Sequence, residues 1–299
     1  MRPVLRRAFL GSIGALAAGC SQTSTKKPPP EPTEDWHDVA FPATADQAEQ
    51  RALVFAPKGS TDWPVLVALH GRGEAGRGLD KGARGWRDDY TLMRAYRALA
   101  SGKITADDAS GMLSDERIGA INVSLAAKPF AGLVVACPYT PVPTGRGAES
   151  AQAFGAFVAG VLLPRVGDLK GRPPAPESTA IDGVSMGGRY ALQLGLGPTD
   201  AFGSVGALQP AIQVAEADAF AALAARAIAR RPRSLRLVSS EDDPFLEATR
   251  ALAAAFEREK LAAGLVVTRG PHDYAWNRGP GAIELLVHHE RVLRGLPPP

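Results

Sequence analysis

The chain has 299 residues, 45% hydrophobic and 22% charged, the balance of a globular protein with room for one large domain and a substantial core, or for two small domains. Its formal net charge is +3, and Arg2, Arg6 and Arg7 account for it: without them 34 Lys+Arg become 31, matched by 31 Asp+Glu. A neutral remainder with no basic stripe argues against a nucleic-acid partner.

The first segment, "MRPVLRRAFLGSIGALAAGC", has a basic start, an apolar run from Ala8 to Ala18, and small residues before Cys20. That run is well short of the roughly 20 residues a membrane span needs. Arg6-Arg7 followed by Ala8-Phe9-Leu10 resembles a twin-arginine export signal. "LAAGC" resembles a bacterial lipobox, with Ala17 where leucine is usual. The resemblance implies a leader over residues 1–19, lipidation of Cys20, and an exported protein held at the cell envelope by that lipid alone. A plain signal peptide with an incidental cysteine is the alternative. Residues 21–35, "SQTSTKKPPPEPTED", hold no apolar side chain beyond proline, so residues 20–35 read as a flexible tether before a domain over 36–299. The other cysteine, Cys137, lies in the apolar run "GLVVACPY" and reads as a buried free thiol, so no disulfide is expected within the mature chain.

Beyond the tether, short apolar runs alternate with helical patterns. "RALVFAP" (51–57) and "PVLVALHG" (64–71) read as strands, the second buried on both faces because its apolar run is continuous. "GLVVACP" (132–138) is a third, followed by a helix over about 149–163. "TAIDGVS" (179–185) leads into a helix from about Gly187, and "FGSVGAL" (202–208), "SLRLVSS" (234–240) and "LVVTRG" (265–270) are further strands. Helices are expected near 216–230, 246–263 and 281–294. The alternation predicts an α/β fold: a mostly parallel central sheet with helices on both faces and functional residues at the carboxyl ends of its strands. The interval 72–131, after the "HG" strand, is too long for a simple crossover; it reads as an insertion, a candidate lid or substrate wall.

In "IDGVSMGGRY" (181–190), Ser185 stands between a strand and a helix with glycines on both sides. So sharp a turn strains the serine backbone and requires small neighbours. It exposes the hydroxyl at a helix N-terminus, where free N–H groups favour negative charge, and Met186 N–H is the first expected oxyanion donor. This pentapeptide resembles the nucleophile elbow of the α/β-hydrolase superfamily.

That resemblance implies a histidine base downstream and an acid between the two. Of five histidines, His37 lies at the tether edge, His288 and His289 inside the last helix in solvent or packing roles, and His70 in the "HG" that resembles the oxyanion loop. Only His272, in "RGPHDYAWN", holds the superfamily's base position. "SEDDPFL" offers Glu241, Asp242 and Asp243 as the acid; aligned with related esterases it selects Asp243, with Ser240 where glycine is usual and Asp242 as the alternative. Asp243 is also placed to cap the following helix, and Asp273 is expected to point elsewhere. "LHGRGEAGRG" places Arg72 N–H as second oxyanion donor. The ordered set resembles α/β-hydrolase esterases, the group holding esterase D-like and polyhydroxybutyrate depolymerase-like proteins. It implies hydrolysis of small or polymeric carboxylic esters through an acyl-serine, with no metal or organic cofactor. A serine peptidase of the same fold and a non-catalytic envelope binding protein are the alternatives. His70, Gly71, Trp86, Tyr274 and Trp276, with Tyr90 and Tyr96, are candidates for a pocket or for packing. Arg72, Arg77, Arg84 and Arg87 are candidates for an acidic substrate, but Asp80, Asp88 and Asp89 lie among them and a solvated stretch is as good a reading.

Overall fold

The strands β1 (Trp36–Phe41), β2 (Gln50–Phe55), β3 (Val65–Leu69), β4 (Val134–Pro138), β5 (Thr179–Gly183), β6 (Ser204–Leu208), β7 (Ser234–Asp242) and β8 (Ala263–Pro271) form one sheet. Its order is β1-β2-β4-β3-β5-β6-β7-β8. The computed structural model describes residues 36–147 and 151–299; the expected leader, Cys20 and tether lie outside the described residues. β2 pairs antiparallel with both β1 and β4, and every other pairing, from β4–β3 to β7–β8, is parallel. In β3, β4, β5 and β6 every residue is buried; β3 and β4 accordingly read as continuous apolar runs, while β5 and β6 also bury the polar Thr179, Asp182 and Ser204.

Period-two alternation sends successive side chains to opposite cores. Val65, Val67 and Leu69 of β3 join one cluster; Leu66 and Ala68 join the other. The helices in chain order are α1 (Arg72–Ala75), α2 (Gly78–Gly82), α3 (Gly85–Asp88), α4 (Leu92–Ala100), α5 (Asp115–Ala127), α6 (Gln152–Phe157), α7 (Leu163–Lys170), α8 (Met186–Gly195), α9 (Ala217–Arg230), α10 (Leu246–Arg258), α11 (Tyr274–Trp276) and α12 (Ala282–Leu293). The first cluster is closed by α6 through α10, the second by α4, α5 and α12. Among the described residues, no helix is long and apolar enough to cross a membrane.

Several expectations shift. The helix expected to stop near 163 continues through a π-helical turn, Val158–Leu162, into α7 and ends at Gly171, whose φ is 80°. Pro164 directly follows the π-helical turn, and that widened turn accommodates its ring and missing N–H, so the helix continues. β1 escaped the sequence reading because only Val39 and Phe41 of this edge strand face the core. His37, placed at the tether edge, belongs to β1, its Nε2 3.4 Å from the carbonyl of Ala56. Much of the interval 72–131 is crossover: α4 buries Leu92, Met93, Ala95, Tyr96 and Leu99, α5 buries Ile121 and Leu125, and α4 packs on α12. Cys137 is a buried free thiol in β4, its pKa pushed up by burial.

His288 and His289 are both buried, which leaves packing rather than solvent as their setting. His289 bridges Asp182 Oδ2 at 2.8 Å and Ser204 Oγ at 3.0 Å, while Arg236 meets Glu284 at 2.8 Å. A Cβ on Gly206 would lie 2.0 Å from Asp182 Oδ2, so the buried pair requires glycine there.

Candidate active site

Ser185 ends the turn from β5 into α8 with φ 60° and ψ −118°, a conformation that costs a non-glycine residue about 1–3 kcal/mol. Four backbone hydrogen bonds hold it: Val184 N–H to Leu69 O (3.1 Å), Ser185 N–H to Leu208 O (2.9 Å), and Arg189 and Ala211 N–H to Ser185 O (3.1 and 3.0 Å). The glycines are steric necessities. A Cβ on Gly187 would lie 2.4 Å from Leu69 O, and one on Gly183 would lie 2.6 Å from the Gly187 carbonyl carbon. Met186 is the first residue of α8 and Arg72 the first of α1, so neither N–H has an intrahelical acceptor. A Cβ built on Gly71 would be 3.7 Å from Ser185 Cβ, which puts the loop after β3 against the serine.

His70 anchors that loop from below. Its Nδ1 is 2.9 Å from Gly71 O, and its Nε2 accepts from Thr140 N–H at 2.8 Å, so Nδ1 carries the proton. Burial lowers its pKa to about 4 and keeps the imidazole neutral. His70 therefore offers no surface to a ligand, which corrects its place among the pocket candidates. Trp86 and Trp276 are corrected on the same ground: both are 0% exposed in the second core cluster. Tyr90 and Tyr96 are buried as well, and Tyr274 alone of these aromatics is exposed, at 42%.

His272 follows β8, its Nδ1 2.9 Å from Asp243 Oδ1. The Asp243 carboxylate is buried and fully engaged: Oδ2 accepts from Ser239 Oγ at 2.5 Å, and Oδ1 also accepts from Phe245 N–H at 3.1 Å. The Phe245 ring packs edge-on to the imidazole, 5.4 Å between centroids. Glu241 and Asp242 are exposed, and Asp273 instead caps α11 by accepting from Trp276 N–H at 2.9 Å. The structure thus brings Asp243, not Asp242 or Asp273, to His272. No hydrogen bond joins the Ser185 hydroxyl to His272 among the described residues; Asp243 holds Nδ1 and leaves Nε2 to act.

Two neighbours escaped the sequence reading. Gln209, fully buried with φ 42°, follows β6 and donates from Nε2 to Ser240 Oγ (2.6 Å) and to Pro271 O (3.2 Å), tying the acid loop to the residue before His272. Glu74, 1% exposed, accepts from the hydroxyls of Tyr90 and Tyr274. A glutamate in a glycine-rich turn carries no sequence mark of burial. Of the four candidate arginines, Arg77 pairs with Asp89, Arg84 with Asp38 and Arg87 with Asp88; among the described residues Arg72 has no such pair. No group of three or more His, Cys, Asp or Glu side chains is placed to hold a metal ion among the described residues.

A mostly parallel eight-stranded sheet with a strained serine turn after β5 and a histidine after the last strand defines the α/β-hydrolase fold. The chain belongs to the family described as "Putative esterase", whose model matches residues 47–263. No curated relative matches it in sequence. A ferulic acid esterase is 16% identical, with TM-score 0.61 over 87% of this chain and 99% of its own. S-formylglutathione hydrolase from Staphylococcus aureus is 13% identical, with TM-score 0.57 over 84% and 96%. A ferulic acid esterase from Anaeromyces mucronatus, solved with ferulic acid, is 16% identical, with TM-score 0.53 over 85% and 89%. At these identities the likeness carries the fold.

Proposed function

We propose that the chain hydrolyses carboxylic esters through an acyl-serine intermediate. Ser185 Oγ attacks the ester carbonyl carbon while His272 Nε2 takes its proton. The C=O electron pair moves onto the carbonyl oxygen, which the N–H groups of Met186 and Arg72 receive. As the tetrahedral centre collapses, the imidazolium returns the proton to the departing alkoxide and the alcohol leaves. Water then attacks the acyl-serine with His272 again as base, and the acid departs. Asp243 holds the imidazole with Nε2 turned to the reaction and stabilises its charged form, without itself taking a proton. Each oxyanion donor contributes on the order of a hundredfold in rate. Every proton and electron pair in this sequence is handled by these groups and water.

The observation that supports this reading most is the strained Ser185 turn, at the same sheet edge as the His272–Asp243 pair bonded at 2.9 Å. Steady-state hydrolysis of p-nitrophenyl acetate tests it: Ser185→Ala is expected to lower kcat/KM by about a thousandfold or more. A Ser185→Ala enzyme keeping a tenth or more of wild-type kcat/KM contradicts it.

A further inference from the structure

One buried carboxylate at the site has no part in the mechanism above. Glu74 lies in α1, three residues beyond Gly71, and accepts from Tyr274 Oη at 2.6 Å through Oε1 and from Tyr90 Oη through Oε2. Tyr90 in turn accepts from Gly71 N–H at 3.2 Å. Tyr274 is the second residue after His272 and reaches over the turn after β3: a Cβ on Gly73 would meet its hydroxyl at 3.0 Å. One side chain thus joins the loop that carries the Arg72 N–H to the loop that carries the imidazole.

The surroundings are shaped for it. A Cβ on Gly85 would lie 2.6 Å from Glu74 Cγ, and one on Gly82 would lie 2.9 Å from Glu74 O. Tyr90 is wedged edge-on against Trp86 at 4.9 Å, and Tyr274 lies 5.8 Å from Tyr90. The choice of a carboxylate follows from donor arithmetic. An ionised carboxylate accepts on both oxygens, so both tyrosines donate to it and the Tyr90 oxygen stays available to Gly71 N–H. An amide has one accepting oxygen, and its NH2 would compete with Gly71 N–H or turn the Tyr274 hydroxyl away. Arg77, 3.6 Å from Oε1 and itself paired with Asp89, offsets part of the buried charge. Both hydroxyls stay protonated: the Glu74 hydrogen bond, with burial, raises the Tyr274 pKa to about 12, and burial foremost raises that of Tyr90.

We propose that Glu74 is a positioning residue that clamps the oxyanion loop to the histidine loop through Tyr90 and Tyr274, holding Arg72 N–H and His272 in fixed register across Ser185. The proposal rests on the serine-esterase reading above. Tyr274 is the member to perturb, because its half-exposed ring stays in place when only the hydroxyl is removed.

The test pairs p-nitrophenyl acetate kinetics with amide hydrogen exchange on wild type, Tyr274→Phe, Glu74→Gln and the double variant. Tyr274→Phe is expected to lower kcat about tenfold with KM within twofold, keep the melting temperature, and speed exchange at residues 71–76, across the site from the substitution. The double variant is expected to lose no more kcat than the worse single, because both cut one connection. Unchanged exchange at 71–76, or kcat losses that multiply in the double variant, overturns the clamp even in an active enzyme. If wild type shows fast ester turnover that Ser185→Ala does not reduce, the serine reading itself has failed and the clamp's role falls with it.

Discussion

The substitution Gly187→Ala puts the packing of the elbow to a quantitative test. The added methyl would sit 2.4 Å from Leu69 O, 2.7 Å from the Leu69 carbonyl carbon and 2.7 Å from His70 O. All three are backbone atoms, so no rotamer change relieves the contact, and α8 and the end of β3 must separate by on the order of 1 Å. That separation moves the Met186 and Arg72 N–H groups apart, since one starts α8 and the other follows β3 by three residues. Overpacking of this kind costs about 1–3 kcal/mol, and a domain of this size loses about 2–4 °C of melting temperature per kcal/mol. A misplacement of about 1 Å at reacting groups costs about a hundredfold in rate. The account therefore expects kcat/KM for p-nitrophenyl acetate to fall about a hundredfold while circular dichroism still reports a folded domain melting several degrees lower. Gly119→Ala is the control: it lies in α5 with nothing within 4 Å of the added carbon, and it should leave activity alone and gain about 0.5–1 kcal/mol from helix propensity. A Gly187→Ala enzyme with kcat/KM within threefold of wild type would refute the steric argument.

Three further outcomes follow from the same geometry. Because burial takes the His70 pKa from 6.5 to about 4, the unfolded chain binds the extra proton first. Stability is full above about pH 6.5 and falls by roughly 3 kcal/mol toward pH 4; urea midpoints across that window should drop, and drop less in His70→Gln, and equal slopes would contradict the assignment. Asp243→Asn should lower kcat by about a thousandfold to ten-thousandfold while Asp242→Asn stays within a few-fold of wild type, and the reverse ranking in ester turnover would move the acid role to Asp242. If the Cys20 motif is a lipidation site, Cys20→Ser should shift the exported protein from the membrane fraction to the soluble fraction on ultracentrifugation; unchanged membrane retention would reject that anchor.

What the sequence showed and what it hid divide along physical lines. The parallel strands were legible because β3 through β6 are buried on both faces, which leaves continuous apolar runs in β3 and β4 and short, mostly small or apolar runs in β5 and β6. The elbow was legible because its glycines answer a local steric demand that any chain making this turn must meet. The acid was ambiguous because Glu241, Asp242 and Asp243 are adjacent. The pairing of β7 with β8 becomes irregular between Ser240 and Asp242, so strand alternation does not carry through the run, and it is Asp243 that meets Ser239 and His272. Trp86 and Trp276 stay open between pocket and packing in the sequence because aromatic residues near a motif look alike there whether they line a pocket or fill a core; the structure puts both in the core. Glu74 was invisible because its partners stand 16 and 200 residues away, and only the fold brings them together.

The central claim is that Ser185 is an activated nucleophile. Incubating the purified domain with a fluorophosphonate and measuring its intact mass tests it most directly. The account predicts one adduct on wild type, mapped to the peptide containing Ser185, and none on Ser185→Ala or, at the same exposure, on His272→Ala. An adduct that persists in Ser185→Ala, or wild type left unlabelled while it turns over esters, would contradict it.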